Sequence, residues 1–385
     1  MSLEIRPLGD ACNLACTYCY QNPQRQTSEA SGVYNLRAIT AAIDEQKVPF
    51  SLFGGEALLT PIGDLETLWK HGFERFRSNM VQTNGTLITA EHVELFAKYN
   101  VTVGISMDGP GVCNSLRRAG DAGATEAATA VIQSNIDRLC RRGLKVYVII
   151  TLHRENASPE RLPLLLDWVR HLDTLGVRGV RLHVLESENA TIRQQYGLSQ
   201  DESLAAFLAF ADLGPQLSRV QMDVFKDIER MLLADDREAT CIWRGCDPYT
   251  TAAVTGIEGD GSKTNCGRTY KDGIAFVKAE APGYERYIAL YHTPQEFGGC
   301  QGCRYFVCCK GQCPGTAIDG DWRNRSADCD LWKALMTRVE SRLMADGRQP
   351  ITASRQLPVF EEQLLAAWQR RTNPTLSAIK AGLEM

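Results

Sequence analysis

The sequence lacks an excess of charge of either sign, a long hydrophobic run, an internal repeat and a low-complexity segment. Its 42 lysines and arginines against 46 aspartates and glutamates give a net charge of -4, with no long run of one sign. This balance argues against nucleic acid or an anionic membrane as a partner. The longest apolar runs, such as Val146–Leu152, are too short to cross a bilayer, and no signal-peptide pattern opens the chain. We therefore expect a cytoplasmic protein.

Cysteine, in contrast, is abundant for that compartment, with 14 among 385 residues. The cytosol keeps thiols reduced, so metal ligation is a better interpretation than disulfide bonding. Three cysteines lie near the N-terminus and nine lie from Cys241 to Cys329, which leaves only Cys113 and Cys140 apart. Cys140 falls in an amphipathic helical stretch, where we expect a buried thiol.

The N-terminal triplet of Cys12, Cys16 and Cys19 has the spacing CxxxCxxC. Three thiolates with no fourth cysteine nearby can hold a cubane iron–sulfur cluster by three corners, which leaves one iron open to a ligand. Clusters that only carry electrons usually have four protein ligands. The alternative is a zinc knuckle that a distant cysteine or histidine completes.

Strand-like and helix-like segments alternate through the first two thirds of the chain. This alternation predicts parallel βα units, in which chemistry gathers at the C-terminal ends of the strands. The strand-like runs are Leu3–Pro7, Phe50–Phe53, Met80–Gln82, Val101–Met107, Lys145–Leu152 and Gly179–Leu185.

Two motifs stand at the expected strand ends. Gly54-Gly55-Glu56 places a flexible backbone beside a carboxylate, which suits an ammonium group, although the same tripeptide is also a common turn. Ser106 and Asp108 point to the same rim because their side chains alternate with Met107. Taken alone, Asp108-Gly109-Pro110 is an ordinary turn signal.

Together these motifs resemble the radical S-adenosylmethionine (SAM) superfamily. The resemblance implies a partial (β/α)6 barrel of TIM-like α/β architecture whose open iron binds the amino and carboxylate groups of SAM. One electron then cleaves the sulfonium, and the resulting 5′-deoxyadenosyl radical abstracts a hydrogen from an unactivated carbon. By this resemblance the cluster ligands are Cys12, Cys16 and Cys19, Tyr18 lies by the adenine, Gly54, Gly55 and Glu56 receive the methionyl amine, Ser106 lies near the carboxylate or ribose, and Asp108 is functional or structural.

The second cysteine group has the pattern Cys241-x4-Cys246-x14-Gly261-x4-Cys266, then Cys300-x2-Cys303-x5-Cys309-x3-Cys313, then Cys329. The run Ala252–Ile257, a turn at residues 258–261 and the return to Cys266 predict a β-hairpin. Without Cys308, which neighbours Cys309, eight ligands remain, enough for two clusters of four. Zinc ribbons also use CxxC pairs and are the alternative.

This pattern resembles the SPASM extension of peptide-modifying radical SAM enzymes. The resemblance implies SAM and three [4Fe-4S] clusters as cofactors. It assigns Cys241, Cys246, Cys266 and Cys313 to a first auxiliary cluster and Cys300, Cys303, Cys309 and Cys329 to a second. We expect the barrel at residues 1–235, the auxiliary-cluster module at 236–335 and a helical tail at 336–385.

The predicted function is an oxidative modification of a peptide or protein, a crosslink or a dehydrogenation of the kind made by ribosomal-peptide maturases. Fully ligated clusters can accept the second electron that such an oxidation releases. Formylglycine formation, as in sulfatase maturases, is an alternative. Gly267 counts against it, because those relatives carry an aspartate directly after the cysteine that matches Cys266. Dehydrogenation of a small alcohol and a non-catalytic iron–sulfur electron carrier or sensor are further alternatives.

The expected partners are a peptide or protein substrate and a reductant such as flavodoxin or ferredoxin. Since the cluster loop already begins at Cys12, leader recognition would fall to a separate protein or to the C-terminal tail, or be unnecessary. The candidate substrate-side residues are His183 with Arg181 on one strand, Arg118 with Arg117 after another, and Asp247 as a base.

Overall fold

The computed structural model describes residues 2–27, 33–187, 189–239, 241–247, 254–270 and 283–383. The chain packs into two compact units. The barrel unit comprises Leu3–Asp223 and Gly256–Thr264. The cysteine-rich unit comprises Met1–Ser2, Val224–Thr255 and Asn265–Met385. Among the helices of the described part, none has the length and apolar character needed to cross a membrane.

One sheet carries the strands, which are β1 (Ser2–Arg6), β2 (Phe50–Leu52), β3 (Asn79–Thr83), β4 (Val101–Ser106), β5 (Val146–Leu152), β6 (Gly179–Val184), β7 (Gln221–Met222), β8 (Val254–Glu258) and β9 (Lys263–Asn265). Their order is β7-β6-β5-β4-β3-β2-β1-β8-β9. Neighbours from β1 to β7 pair in parallel. This sheet and its crossover helices confirm the predicted α/β fold class.

The helices are α1 (Asn22–Thr27), α2 (Leu36–Gln46), α3 (Ile62–Phe76), α4 (Ala90–Lys98), α5 (Ala122–Arg141), α6 (Arg154–Ala157), α7 (Leu162–Leu175), α8 (Ala190–Tyr196), α9 (Gln200–Leu213), α10 (Asp223–Leu232), α11 (Gly267–Tyr270), α12 (Glu285–His292), α13 (Phe306–Cys309), α14 (Cys329–Ala345), α15 (Leu357–Gln369) and α16 (Leu376–Leu383). Side-chain caps fix the first residues of several helices. The Asn35 side chain accepts from two backbone amides of α2, and Thr89 and His92 form a capping box on α4.

Alternate residues along each barrel strand face two different environments. On β4 and β5 the residues Val103, Ile105, Val148 and Ile150 are fully buried, and burial of such a side chain contributes about 1.5–3 kcal/mol. The intervening positions, such as Tyr147, are half-buried or exposed and form the other face of the sheet, here called the lumen face. Polar side chains at the ends of the strands can therefore reach a ligand from this face.

The predicted hairpin is present as β8 and β9, with Ala252 outside the described residues. Its turn belongs to the barrel unit, where the buried Arg6 of β1 lies 2.9 Å from Glu258 and donates to Thr264. The units also divide at Asp223 and not at residue 235, and α14–α16 belong to the cysteine-rich unit. The two units thus differ from the predicted boundaries at 235 and 335.

Candidate functional site

The loop after β1 carries Cys12, Cys16 and Cys19. Backbone hydrogen bonds fasten it to the segment after β4, from Ala15 N to the Arg118 carbonyl and from Thr17 N to the Leu116 carbonyl, both 2.8 Å. The pKa of Cys16 is raised to about 12, chiefly by burial and also by the neighbouring Cys19 and Cys12, with Arg117 opposing the rise. The three thiols therefore lie close enough to act on one another, as the predicted cluster site requires.

The Gly-Gly pair after β2 lies against the same loop. Gly55 N donates to the Gly9 carbonyl at 3.0 Å, and Glu56 N donates to the Ala11 carbonyl at 2.8 Å. A Cβ atom on Gly55 would lie 2.2 Å from the carbonyl oxygens of both Asp10 and Ala11. Glycine is required here because only a residue without a side chain permits this approach of two backbones.

The carboxylate of Glu56 is engaged within the protein. It is 1% exposed and accepts from Leu58 N at 3.0 Å, Thr83 Oγ1 at 2.6 Å and Asn84 N at 2.6 Å. Burial raises the pKa of Glu56, and these hydrogen bonds oppose the rise. An amine at this motif would therefore meet the Gly54–Gly55 backbone beside a carboxylate that already has three donors.

Asp108 is the centre of a buried polar network behind the cluster loop. Its Oδ1 accepts from Arg117 Nη2 and from Thr151 N, both at 2.9 Å, and its Oδ2 accepts from the Tyr18 hydroxyl and lies 3.4 Å from His153 Nε2. Burial alone would raise the pKa of Asp108, but Arg117 and His153 outweigh it and lower the pKa to about 2. Asp108 is thus an ionised counter-charge in the interior.

Tyr18, predicted to lie by the adenine, is buried in this network. Besides the hydroxyl bond to Asp108, its ring has the Arg117 guanidinium 5.6 Å from its centroid and the His153 ring at 5.7 Å. Because Tyr18 lies between Cys16 and Cys19 in sequence, its hydrogen bond to Asp108 ties the loop to the end of β4. His153, which is fully buried, was not among the predicted residues.

Two further residues contact the cluster sulfurs, and sequence reasoning missed both. Arg25 Nη2 donates to Cys19 Sγ at 3.3 Å, while its Nε donates to the Asp10 carbonyl at 2.8 Å. Asn84 Nδ2 lies 3.8 Å from Cys12 Sγ. The only available signal was position, since Arg25 follows the loop closely and Asn84 directly follows β3.

Of the predicted substrate-side residues in the barrel unit, some share the lumen face. Register places Ser106 opposite Ile149 and Ile149 opposite Arg181, and His183 follows on the same side of β6. Ser106 Oγ accepts from Gln82 Nε2 at 2.8 Å. Arg181 is exposed and pairs with Asp223. Arg118 is exposed, and its backbone carbonyl accepts from Ala15 N in the cluster loop.

The cysteine-rich unit contains a group of four thiols, here called the first tetrad. The pKa of Cys241 is raised to about 12, chiefly by burial and also by Cys313 and Cys266. The pKa of Cys246 is raised by burial and then by Cys266, Cys241 and Cys313. These are the four residues that the resemblance assigned to one auxiliary cluster.

A second tetrad lies in the same unit. The pKa of Cys300 is raised to about 12, chiefly by burial and also by Cys303 and Cys329. The pKa of Cys309 is raised by burial and by those same three thiols. All four line one pocket. Mutual proximity therefore sorts the eight cysteines into two groups of four, and Cys313 falls in the first tetrad although only three residues separate it from Cys309.

The remaining predicted residues are buried except for Cys140, which was expected to be a buried thiol. Cys308 is fully buried, and its Sγ donates to the Met231 carbonyl at 3.4 Å, so it serves as a small core residue. Cys113 is also fully buried, whereas Cys140 is half-buried. The candidate base Asp247 is 1% exposed and lies near Tyr287.

These donor sets fit iron–sulfur clusters. One set of three sulfurs and two of four are the ligand sets of [4Fe-4S] clusters, and soft thiolates favour such clusters. No group of three or more histidine, cysteine, aspartate or glutamate side chains in the described ranges is arranged to hold a single metal ion. The cluster cysteines must be thiolates to bind, and iron supplies the positive charge that offsets their burial.

Comparison with known proteins agrees with this geometry. Residues 7–162 match the family model described as the radical SAM superfamily. This part of the chain is therefore a radical SAM domain.

The chain is homologous to anaerobic sulfatase-maturating enzymes. The serine-type enzyme of Klebsiella aerogenes is 29% identical over 212 residues, 51% of this chain and 50% of that protein. The serine-type enzyme of Bacteroides thetaiotaomicron is 37% identical over 122 residues, 28% and 29% of the two chains. The chain thus spans about half the length of the curated relatives it matches, or less.

The fold is also that of a solved structure, native anSMEcpe with bound AdoMet and Cp18Cys peptide. The TM-score is 0.67 at 18% identity, with 89% of this chain and 98% of that chain covered. At this identity the likeness extends to the fold, including the cysteine-rich C-terminal part.

Proposed function

We propose that this protein is a radical SAM enzyme that oxidatively modifies a peptide or protein side chain. The observation that carries the proposal is the sorting of eleven cysteines into one group of three beside the Gly-Gly motif and two groups of four in the other unit. Relatives named as sulfatase-maturating enzymes, and a similar fold solved with bound AdoMet and peptide, support the same class of substrate.

Cys12, Cys16 and Cys19 would hold the cluster that binds SAM, and the two tetrads would hold auxiliary clusters. A cluster at the triplet supplies the electron that cleaves SAM, and fully ligated clusters accept the electron that an oxidation releases. The chain's own residues would fix the geometry. Gly54 and Gly55 offer backbone to the methionyl amine, and Ser106 offers a hydroxyl from the lumen face.

A second candidate is formylglycine formation, because the relatives matched by sequence are named as sulfatase-maturating enzymes. The residue after Cys266 is Gly267, at the start of α11, so no carboxylate follows the cysteine at this position. Asp247, next to Cys246 in the first tetrad, is the alternative base within the same unit. The oxidative crosslink or dehydrogenation remains the preferred reaction.

Anaerobic reconstitution followed by iron analysis and a SAM cleavage assay tests the proposal. We expect about twelve irons per chain, four for each cluster, and 5′-deoxyadenosine once a reductant such as flavodoxin or dithionite is supplied. A loaded protein that produces no 5′-deoxyadenosine would contradict the enzyme assignment.

The type of reaction is tested by mass spectrometry of peptides incubated with the loaded enzyme. Short peptides encoded next to the gene and serine or cysteine peptides from sulfatases form the two arms. Loss of two hydrogens in the first arm supports a crosslink or dehydrogenation. Formylglycine in the second arm alone would favour sulfatase maturation, and an unchanged mass with inverted stereochemistry would contradict an oxidation.

A further inference from the structure

Arg286 is a buried cation among the ligands of both tetrads. It is the second residue of α12 and is 3% exposed. Within the described residues its guanidinium donates to backbone carbonyls, of Trp322 at 2.7 Å, Asn324 at 2.8 Å, and Lys310 and Gln312 at 3.4 Å each. A buried guanidinium that is not paired with an anion is costly.

Two of these carbonyls belong to the link between the tetrads. Lys310 and Gln312 lie between Cys309, in the second tetrad, and Cys313, in the first. Tyr287, which follows Arg286 on α12, accepts a hydrogen bond from the backbone amide of Cys246 in the first tetrad. These contacts place Arg286 at the join of the two sites.

We propose that Arg286 is the shared counter-cation of the two auxiliary clusters and sets the reduction potential of both. An oxidised [4Fe-4S] cluster with four thiolates carries a net charge of about −2, and each added electron raises the negative charge. In a buried site a fixed cation stabilises the reduced form of each cluster. This inference rests on the proposed function, since it requires both auxiliary clusters.

Arg325 provides a matched comparison. Its guanidinium donates at 2.7 Å to the carbonyl of Gly299, the residue before Cys300, and Arg325 lines the pocket that holds the four thiols of the second tetrad. Replacing Arg325 should therefore act on one cluster, whereas replacing Arg286 should act on two. A general loosening of the fold would not produce this difference.

The test is a redox titration followed by electron paramagnetic resonance. It uses the full chain in a background of Cys12→Ala, Cys16→Ala and Cys19→Ala, which removes the signal of the SAM-binding cluster. For Arg286→Gln we expect both midpoint potentials to fall so that the reduced-to-oxidised ratio changes at least tenfold, which is 59 mV for one electron. Arg286→Lys, which keeps the charge, should retain both potentials, and Arg325→Gln should shift only one.

Iron content separates failure of this inference from failure of the proposed function. A background protein with about four irons or none, on four per cluster, would contradict the auxiliary clusters themselves. If the background protein holds about eight irons, on four per cluster, but Arg286→Gln shifts only one midpoint potential or neither, the shared role is overturned. If Arg286→Gln does not fold, Arg286→Lys decides the matter, because a tenfold or larger shift with the charge retained would overturn the inference.

Discussion

The two cysteine regions of this molecule reach the same kind of ligand set by different routes. The cluster loop takes Cys12, Cys16 and Cys19 from one short segment, which backbone hydrogen bonds hold against Leu116–Arg118. Each tetrad gathers cysteines from well-separated parts of the chain, as with Cys246 and Cys313. The loop is thus a local structure that the barrel supports, whereas the tetrads exist only when their unit is folded.

The two regions also differ in how positive charge is balanced. Beside the loop, Arg117 is paired at 2.9 Å with the buried Asp108. In the cysteine-rich unit, Arg286 donates to backbone carbonyls within the described residues. A cation paired with a carboxylate mainly holds the loop in place, whereas one whose acceptors among the described residues are carbonyls can act on the sulfurs.

The largest expected effect separates the two regions outright. Cys16→Ala should lower the iron content from about twelve to about eight, on four per cluster, and abolish 5′-deoxyadenosine formation. Cys309→Ala should lose a similar amount of iron and keep SAM cleavage, because its tetrad lies in the other unit. Iron analysis and chromatography of the nucleoside products measure both.

The neighbouring Cys308 supplies the control. It is fully buried and donates to the Met231 carbonyl, outside both tetrads. Cys308→Ala should therefore keep about twelve irons. The assignment of the second tetrad fails if Cys308→Ala loses iron and Cys309→Ala does not.

A smaller effect concerns the cation that is paired with a carboxylate. Asp108→Asn keeps the shape of the side chain but leaves the buried Arg117 without its counter-charge. Removal of one member of a buried ion pair costs about 3–5 kcal/mol. We expect the free energy of unfolding, measured by denaturant titration of the loaded protein, to fall by about this amount.

The double variant Asp108→Asn with Arg117→Gln gives the control for that prediction. Since it removes both charges, it should be more stable than Asp108→Asn alone, and the difference is the coupling of the pair. An Asp108→Asn protein as stable as the wild type would show that the carboxylate is not an ionised partner of Arg117.

Much of the barrel was predictable because its signals are local. Thr89 caps the start of helix α4, and β5 is a run of apolar and β-branched residues that ends at Leu152. The placement of the hairpin was not predictable, because the pairing of Arg6 with Glu258 joins residues far apart in sequence. Its cysteine Cys266 marked it as part of the second module, although its turn lies in the barrel unit.

The candidate cluster sites show the same division between local signals and contacts that only the fold creates. Cysteine spacing, with the resemblance, predicts that Cys313 groups with Cys241, and the Gly-Gly-Glu motif singles out Gly55. Arg25 and Arg286 were missed because an arginine has no characteristic spacing to a thiol, and only the fold brings the two together. Tyr18 was assigned from its motif, and its hydroxyl bond to Asp108 could not be foreseen from sequence.

The smallest expected effect sharpens the contrast at the cluster loop itself. Arg25 donates to Cys19 Sγ at 3.3 Å and its charge lowers the pKa of Cys12, so Arg25→Gln removes a charged donor from the sulfurs of the first site. A hydrogen bond to a charged group is worth about 1.5–3 kcal/mol, and a tenfold change in a one-electron couple is about 59 mV. The midpoint potential of this cluster should therefore fall by at least about 59 mV, while those of the tetrads stay unchanged.

Arg37→Gln, an exposed change on α2, is the control. If the two variants give the same potential, Arg25 only braces the loop through the Asp10 carbonyl, and tuning by an arginine is confined to the cysteine-rich unit.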